Sequence, residues 1–130
     1  MNGDKDASLL IIDDEMVNRA ILANIFSPEY AIIEAEDGQE GLDAIQANAD
    51  RLSAVLLDVV MPRLNGIEVL RRLHQLELTD RIPVFLITAD ACSDTMREAY
   101  SLGVMDVILK PVVPYVVRRR VNSVVELFRA

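Results

Sequence analysis

The chain has 130 residues, 52% of them hydrophobic, which is enough for one domain with an ordinary hydrophobic core. Its single cysteine excludes an internal disulfide, and its formal net charge of −8 argues against direct binding of nucleic acid, whose phosphates require a basic surface. No window of about 18 apolar residues indicates a membrane span, and the polar residues 1–8 lack the apolar segment of a signal peptide, so we expect a cytoplasmic protein without membrane contact.

Short apolar runs along the chain predict five β-strands. In chain order they are Leu9–Ile12, Ala31–Ile33, Ala54–Leu57, Val84–Ile87 and Val107–Leu109. Each run is nearly continuous in Val, Ile, Leu or Ala and does not alternate with polar residues. This composition is typical of strands that are covered on both faces, as in a parallel sheet.

Segments with a helical spacing of apolar residues follow these strands. The residues that we expect to face inward are Val17, Ile21, Leu22 and Ile25 within Met16–Phe26, then Leu42 and Ile45, Ile67, Leu70 and Leu73, Met96, Ala99 and Leu102, and finally Val117, Val121, Val124 and Phe128. Asp37 is placed to cap the second helix, Gly103 to end the fourth and Pro114 to begin the fifth. Strand and helix thus alternate five times, which predicts an open, doubly wound α/β sheet with its site at the carboxyl ends of the strands.

Polar residues lie where the predicted strands end. Asp13 and Asp14 follow the first strand, Asp58 the third, Thr88 the fourth and Lys110 the fifth. Because the carboxyl ends of parallel strands meet at one edge of a sheet, these side chains can share one pocket. Three neighbouring carboxylates repel one another unless a cation neutralises them, and Mg²⁺ favours such oxygen ligands.

The same pocket would suit phosphoryl transfer. Lys110 offers a cation and Thr88 a hydroxyl to the oxygens of a phosphoryl group, and Asp58 would be the nucleophile that forms an aspartyl phosphate. Taken singly, each residue has an ordinary explanation, such as helix capping by Asp13 and Asp14 or a solvated charge at Lys110. Their joint occurrence at four strand ends favours the phosphoryl-transfer site.

Four segments resemble the motifs of bacterial response regulator receiver domains, the phosphoacceptor modules of two-component signal transduction. They are Ile11–Glu15, Leu56–Gly66, Ile87–Ala89 and Leu109–Pro111. The resemblance implies a flavodoxin-like (βα)5 fold with strand order 2-1-3-4-5. It covers nearly the whole chain, so we expect residues 1–130 to form one receiver domain, with the start of a linker to an output domain near residues 126–130.

The resemblance also implies a role for each acidic residue of the site. Asp58 matches the phosphoacceptor. Asp14, Asp58 and the main-chain carbonyl of Val60 match the direct Mg²⁺ ligands. Asp13 matches an acid that contacts the ion, often through water.

The remaining site residues match the part of a receiver that senses the phosphoryl group. Thr88 corresponds to the hydroxyl that moves onto this group and Lys110 to the cation that contacts it, and the Lys110–Pro111 peptide bond is expected to be cis. The chain departs from the family at Val107, where receivers commonly carry an aromatic ring that turns inward with the hydroxyl. This departure concerns the output mechanism and leaves the phosphoacceptor chemistry untouched.

The resemblance implies partners as well. A sensor histidine kinase or a histidine phosphotransfer protein would donate the phosphoryl group from a phosphohistidine. The chain would then be a signalling switch that catalyses its own phosphorylation and slow dephosphorylation, and not an enzyme that turns over free substrate. Arg118–Arg120 would form a solvated helix face or a set of salt bridges to a partner, and the apolar residues of the last helix would belong to the core or extend into a seam with a homodimer partner or a following domain. The final segment resembles the link from receivers to output domains of the cyclic-dinucleotide-metabolising type.

Three other functions stay open at this point. A phosphatase of the haloacid dehalogenase type also uses Asp, Thr and Lys, but it requires an Asp-x-Asp pair where this chain has adjacent Asp13 and Asp14, and its usual cap domain would not fit in 130 residues. A flavodoxin-like cofactor binder would need a Ser/Thr/Gly loop for phosphate at the same place. A phosphate-independent scaffold would keep the fold without the switch, and Val107 is the residue that favours it.

Overall fold

The computed structural model describes residues 7–61, 64–89 and 92–129. Within them the elements alternate as β1 (Ser8–Ile12), α1 (Met16–Phe26), β2 (Ala31–Ala35), α2 (Gly38–Asn48), β3 (Leu52–Leu57), α3 (Gly66–Gln75), β4 (Val84–Thr88), α4 (Ser93–Ser101), β5 (Asp106–Leu109) and α5 (Pro114–Arg129). The five predicted strands are confirmed, each one or two residues longer than predicted. Pro62 and Arg63 of the second receiver-like motif, and residues 1–6 and 130 of the expected domain, lie outside the described residues.

The five strands form one parallel sheet in the order β2-β1-β3-β4-β5. Ile12 at the end of β1 pairs with Ala35 of β2 and Leu57 of β3, and Thr88 of β4 pairs with Leu109 of β5. The carboxyl ends of the strands therefore meet at one edge of the sheet. The predicted α/β fold and the predicted strand order are both confirmed.

Alternate strand residues face two separate hydrophobic clusters. One cluster, packed under α1 and α5, includes Leu9, Ile11, Ala54, Leu56, Phe85, Ile87 and Ile108. The other, packed under α2, α3 and α4, includes Leu10, Ile12, Val55, Leu57, Val84, Leu86 and Val107. Because helices cover both faces, both sets of strand side chains are buried, which explains the nearly continuous apolar runs.

The inward face predicted for α1 is wrong for two of its four residues. Val17 is 66% exposed and Ile21 is 44% exposed, whereas Leu22 and Phe26 are buried. Leu22 and Phe26 lie four residues apart and so share one stripe of the helix, and the large ring of Phe26 turns that stripe to the sheet. Val17 and Ile21 form a parallel stripe one position away, which faces outward.

The inward face predicted for α5 is also shifted at its end. Val117, Val121 and Val125 are buried at four-residue spacing, whereas Val124 is half-buried and Phe128 is exposed. The same spacing rule therefore sets the buried stripe in α5 as in α1.

The predicted helix ends are confirmed. Asp37 accepts a hydrogen bond from the Glu40 backbone N–H and caps α2, and Pro114 begins α5. Gly103 follows α4 with a φ of 98°, which a glycine adopts without strain. In the part of the chain that the structure describes, no helix is long and apolar enough to cross a membrane.

Candidate functional site

The alternation of strand residues carries three charged side chains to the same side of the sheet. Asp13, Asp58 and Lys110 each lie two residues beyond a strand residue of the α1–α5 cluster. The ammonium Nζ of Lys110 donates to Asp13 Oδ2 at 2.7 Å and to Asp58 Oδ2 at 3.2 Å. Lys110 therefore joins the carboxylates that follow the adjacent strands β1 and β3.

Asp14 completes an acidic cluster with Asp13 and Asp58. Each of the three offers a carboxylate oxygen, and these oxygens lie within 4.8 Å of one another. Asp13 is 2% exposed and Asp58 is 7% exposed, whereas Asp14 lies open to solvent. Clustered carboxylate oxygens with one open side fit a hard divalent cation such as Mg²⁺, which retains several of its waters.

Burial and charge set the protonation of the two central groups. Burial raises the pKa of Asp58 above its ordinary value, and the charge of Asp13 raises it further, while Lys110 only partly lowers it. Burial alone would lower the pKa of Lys110, but its hydrogen bond to Asp13 and the charges of Asp58 and Asp13 outweigh burial and raise it. Lys110 is thus a fixed cation. A further positive charge near Asp58 would stabilise the ionised form of its carboxylate.

The backbone holds Asp58 in place. Its N–H donates to the Ile12 carbonyl at 2.9 Å, and its Oδ1 accepts from the Val59 N–H at 2.8 Å. Gly66, the first residue of α3, lies against this segment. A Cβ on Gly66 would lie 2.1 Å from the Asp58 carbonyl oxygen, so only glycine allows α3 to begin here. Val60, two residues after Asp58, has an exposed side chain. The role of its main-chain carbonyl as a metal ligand stays a prediction.

Thr88 ends β4, and Lys110 directly follows the adjacent strand β5. Thr88 is buried, and its backbone carbonyl accepts a hydrogen bond from the Lys110 N–H at 2.9 Å. The Lys110–Pro111 peptide bond is cis, as expected. Val107 is buried in the cluster under α2, α3 and α4, so a small aliphatic side chain fills the place where the family pattern has an aromatic ring.

Arg19, which together with Asn18 also resembles the receiver family, is a site residue whose role the sequence did not predict. Its Nη1 donates to the Asp13 backbone carbonyl at 2.7 Å, and its Nε donates to Glu34 Oε1 at 3.0 Å. The chain carried one usable signal, because Arg19 lies one helical turn after Glu15 and so within reach of the loop that precedes α1. Glu34 could not be found this way, since only the pairing of β1 with β2 brings it close.

Comparisons with known proteins identify a family and similar chains. The family model for the response regulator receiver domain matches residues 9–122. The chain is 31% identical over 125 residues to the cyclic di-GMP phosphodiesterase response regulator RpfG of Xanthomonas campestris, a match that covers 95% of this chain and 33% of RpfG. It is 30% identical over 118 residues to the chemotaxis protein CheY1 of Helicobacter pylori, with 89% of this chain and 94% of CheY1 covered.

A solved structure is similar as well. A chain in the CheX–CheY–BeF3–Mg²⁺ complex from Borrelia burgdorferi superposes with a TM-score of 0.84 at 28% identity, covering 91% of this chain and 88% of that chain. The present chain thus spans about a third of the length of RpfG and nearly all of CheY1.

Proposed function

The chain belongs to the response regulator receiver domain family, and from that membership we propose that Asp58 accepts a phosphoryl group from a phosphohistidine in a Mg²⁺-dependent reaction. Receiver domains are the signalling switches of two-component systems. The observation that carries the assignment to Asp58 is the double contact of Lys110, whose ammonium touches both Asp58 and Asp13. A buried carboxylate beside a fixed cation and two further carboxylates is suited to hold a phosphoryl group together with a metal ion.

Asp58, Lys110 and Thr88 would have different roles in the phosphoryl transfer. A carboxylate oxygen of Asp58 forms a bond to phosphorus while the P–N bond of the phosphohistidine breaks, and the imidazole leaves with that electron pair. Lys110 contacts Asp58 Oδ2 before transfer and would turn to an oxygen of the phosphoryl group afterwards. Thr88, which ends the strand next to Lys110, would donate its hydroxyl to another of these oxygens.

The metal site follows from the same cluster. Asp13, Asp14 and Asp58, with the main-chain carbonyl of Val60, would hold Mg²⁺. When bound, the ion offsets the charge of the carboxylates and of the phosphoryl oxygens. Because burial and Asp13 raise the pKa of Asp58, this added positive charge keeps Asp58 ionised and nucleophilic.

The phosphodonor would dock on the outer face of α1. Val17 and Ile21 are exposed apolar side chains there, and an apolar groove of about 350 Å³ runs from Ile21 to Lys110 and Val112. A protein that carries a phosphohistidine must bring its imidazole to Asp58, which lies 3.2 Å from the Nζ of Lys110 in the lining of this groove. We therefore assign the α1 face to a sensor histidine kinase or a histidine phosphotransfer protein. We further propose that this exchange takes place in the cytoplasm.

The docking surface is tested by Ile21→Ser, with His74→Ser on the exposed face of α3 as the matched control. The probe is a phosphorylated histidine phosphotransfer protein that serves the wild-type chain. We expect Ile21→Ser to lower the transfer rate on the order of tenfold, as for a central apolar contact, while acetyl phosphate modifies both variants like wild type. Equal transfer rates for the two variants would contradict this assignment.

Further partners follow from the relatives. RpfG is named a cyclic di-GMP phosphodiesterase response regulator, and this name supports the proposal that the output is a cyclic-dinucleotide-metabolising domain. A homodimer through α5 is the alternative output. Light scattering of the phosphorylated and unphosphorylated chain tests it, since a phosphorylation-dependent doubling of mass is expected only for the dimer.

The phosphoacceptor chemistry is tested by intact mass after incubation with acetyl phosphate or phosphoramidate and Mg²⁺. We expect wild type to gain one phosphoryl group, and Asp58→Asn to gain none. The gain should also disappear without Mg²⁺ and persist in Asp50→Asn, an exposed aspartate far from the cluster. No gain in wild type with any donor would move the phosphate-independent scaffold ahead of the switch.

A further inference from the structure

Arg19 combines a full charge with little exposure. It lies in α1, and its side chain is 12% exposed. Glu34 in β2 receives its Nε at 3.0 Å, and Glu36 lies at 4.0 Å from Nη2. A guanidinium so far from water needs such partners, and their carboxylates hold it in one orientation.

The third contact of Arg19 leads to the acidic cluster through the backbone. Its Nη1 donates to the carbonyl of Asp13 at 2.7 Å. Lys110, by contrast, donates to the carboxylates of the cluster themselves. The two cations therefore have different tasks, since Lys110 offsets charge and Arg19 fixes the peptide that joins Asp13 to Asp14.

The loop between β1 and α1 is held by hydrogen bonds to Asp13. Glu15 is the N-cap residue of α1, and its side chain makes no capping hydrogen bond within the described residues. The turn is instead closed through Asp13, whose Oδ1 accepts from the Glu15 N–H at 2.9 Å and whose carbonyl accepts from Arg19. Loss of Arg19 removes one of these two ties.

We propose that Arg19 is a positioning residue, which ties the Asp13 carbonyl to Glu34 of the neighbouring strand and so keeps the carboxylates of Asp13 and Asp14 at the spacing that a divalent cation requires. This inference deepens the proposed function and rests on it. Residues that orient metal ligands in this way typically change the affinity for the metal on the order of tenfold or more when they are replaced.

Position and charge predict opposite results. A cation near an acidic cluster repels Mg²⁺, so if only the charge of Arg19 mattered, Arg19→Gln would bind Mg²⁺ more tightly and Arg19→Lys would equal wild type. A lysine keeps the charge but has a single nitrogen, which cannot reproduce the separate Nη1 and Nε contacts. Positioning therefore predicts weaker Mg²⁺ binding in both variants.

The test is calorimetric titration of the full chain with Mg²⁺. We expect Arg19→Lys to raise the Mg²⁺ dissociation constant on the order of tenfold. Arg81→Lys, which alters an exposed ion pair with Asp50, is the matched control and should equal wild type. In the metal-free state, the Glu15 amide should exchange its hydrogen faster in Arg19→Lys. At saturating Mg²⁺, modification by acetyl phosphate should return to the wild-type rate.

Glu34→Asp covers the case in which Arg19→Lys does not fold, because it leaves the cluster and its loop unchanged in sequence and keeps the negative charge while shortening the side chain that holds the Arg19 Nε. It should weaken Mg²⁺ binding in the same direction but less. Tighter binding in Arg19→Gln, or unchanged dissociation constants in Arg19→Lys and Glu34→Asp, would overturn the role of Arg19 while leaving the proposed function standing. Absence of Mg²⁺ binding in wild type would overturn both.

Discussion

Helices α1 and α3 begin next to the aspartates of the same site, yet they are built differently. Five residues of α3 are buried, and Asn65 and Glu68 form a reciprocal capping box at its start. Only Leu22 and Phe26 are buried in α1, and its N-cap side chain makes no capping bond within the described residues. Helix α3 is thus held by packing and capping, whereas α1 is tied at its start by Asp13 and Arg19.

This difference indicates that α3 contributes mainly to the stability of the fold and α1 mainly to the binding of a partner. The apolar residues of α3 stabilise the fold, while the outer apolar residues of α1 remain available to a partner. Burial of apolar area stabilises by about 25 cal/mol per Å², so an exposed Ile21 contributes little to folding and can contribute to binding instead.

The largest effect is expected in the free energy of unfolding when Leu70→Ala in α3 is compared with Ile21→Ala in α1. Leu70 is fully buried, so its truncation should lower the free energy of unfolding by about 3 kcal/mol through lost burial and a residual cavity. Ile21→Ala should change it by less than about 1 kcal/mol, as is usual for exposed positions. Urea unfolding followed by circular dichroism measures both. Similar losses would show that α1 is packed as tightly as α3.

Lys110 links the two halves, because Asp13 precedes α1 and Asp58 precedes α3. Lys110→Met would leave both carboxylates without their cation. A fully buried broken pair costs about 3–5 kcal/mol, and since Lys110 keeps 17% exposure we expect about 2 kcal/mol. Urea unfolding without and with Mg²⁺ should show that the ion restores part of the loss. A larger loss with Mg²⁺ than without it would be incompatible with a metal site here.

The caps provide a smaller test. Asn65→Ala should lower the free energy of unfolding by about 1 kcal/mol, since it removes the side chain that accepts the Glu68 N–H. Glu15→Ala, at the uncapped start of α1, should stay within about 0.5 kcal/mol of wild type. Thermal unfolding at fixed pH compares the two, and equal effects would remove the contrast in capping.

The pH dependence of stability is the smallest expected effect. The pKa of Asp58 is raised in the folded state by burial first, so folding favours its protonated form. Protonation of Asp58 therefore raises the free energy of unfolding at any pH below the pKa that Asp58 has in the unfolded chain. This stabilisation is lost as the pH rises through the pKa that Asp58 has in the folded chain. Asp58→Asn should therefore melt above wild type at neutral pH without Mg²⁺, with a gap that narrows as the solution is acidified. A gap that widens on acidification would reverse the assigned shift.

The sequence predicted the sheet and the meeting of the site residues because both follow from where apolar runs stop. A run that ends in Asp, Thr or Lys marks a strand end, and parallel pairing then brings those ends together. The sequence did not predict which stripe of α1 faces the sheet. Val17 and Ile21 are as apolar as Leu22, and only packing against the strands turns Leu22 and Phe26 inward. The sequence did not predict the Arg19–Glu34 pair either, because that contact depends on the register of β1 and β2.

Borohydride reduction identifies the residue that carries the phosphoryl group, which we propose to be Asp58. Borohydride converts an aspartyl phosphate to homoserine, so treatment of the acetyl phosphate-modified chain, followed by proteolysis and tandem mass spectrometry, locates the modified residue. We expect homoserine at position 58 in the presence of Mg²⁺ and nowhere in Asp58→Asn. Homoserine at another aspartate, or a phosphoryl group that resists borohydride, would contradict it.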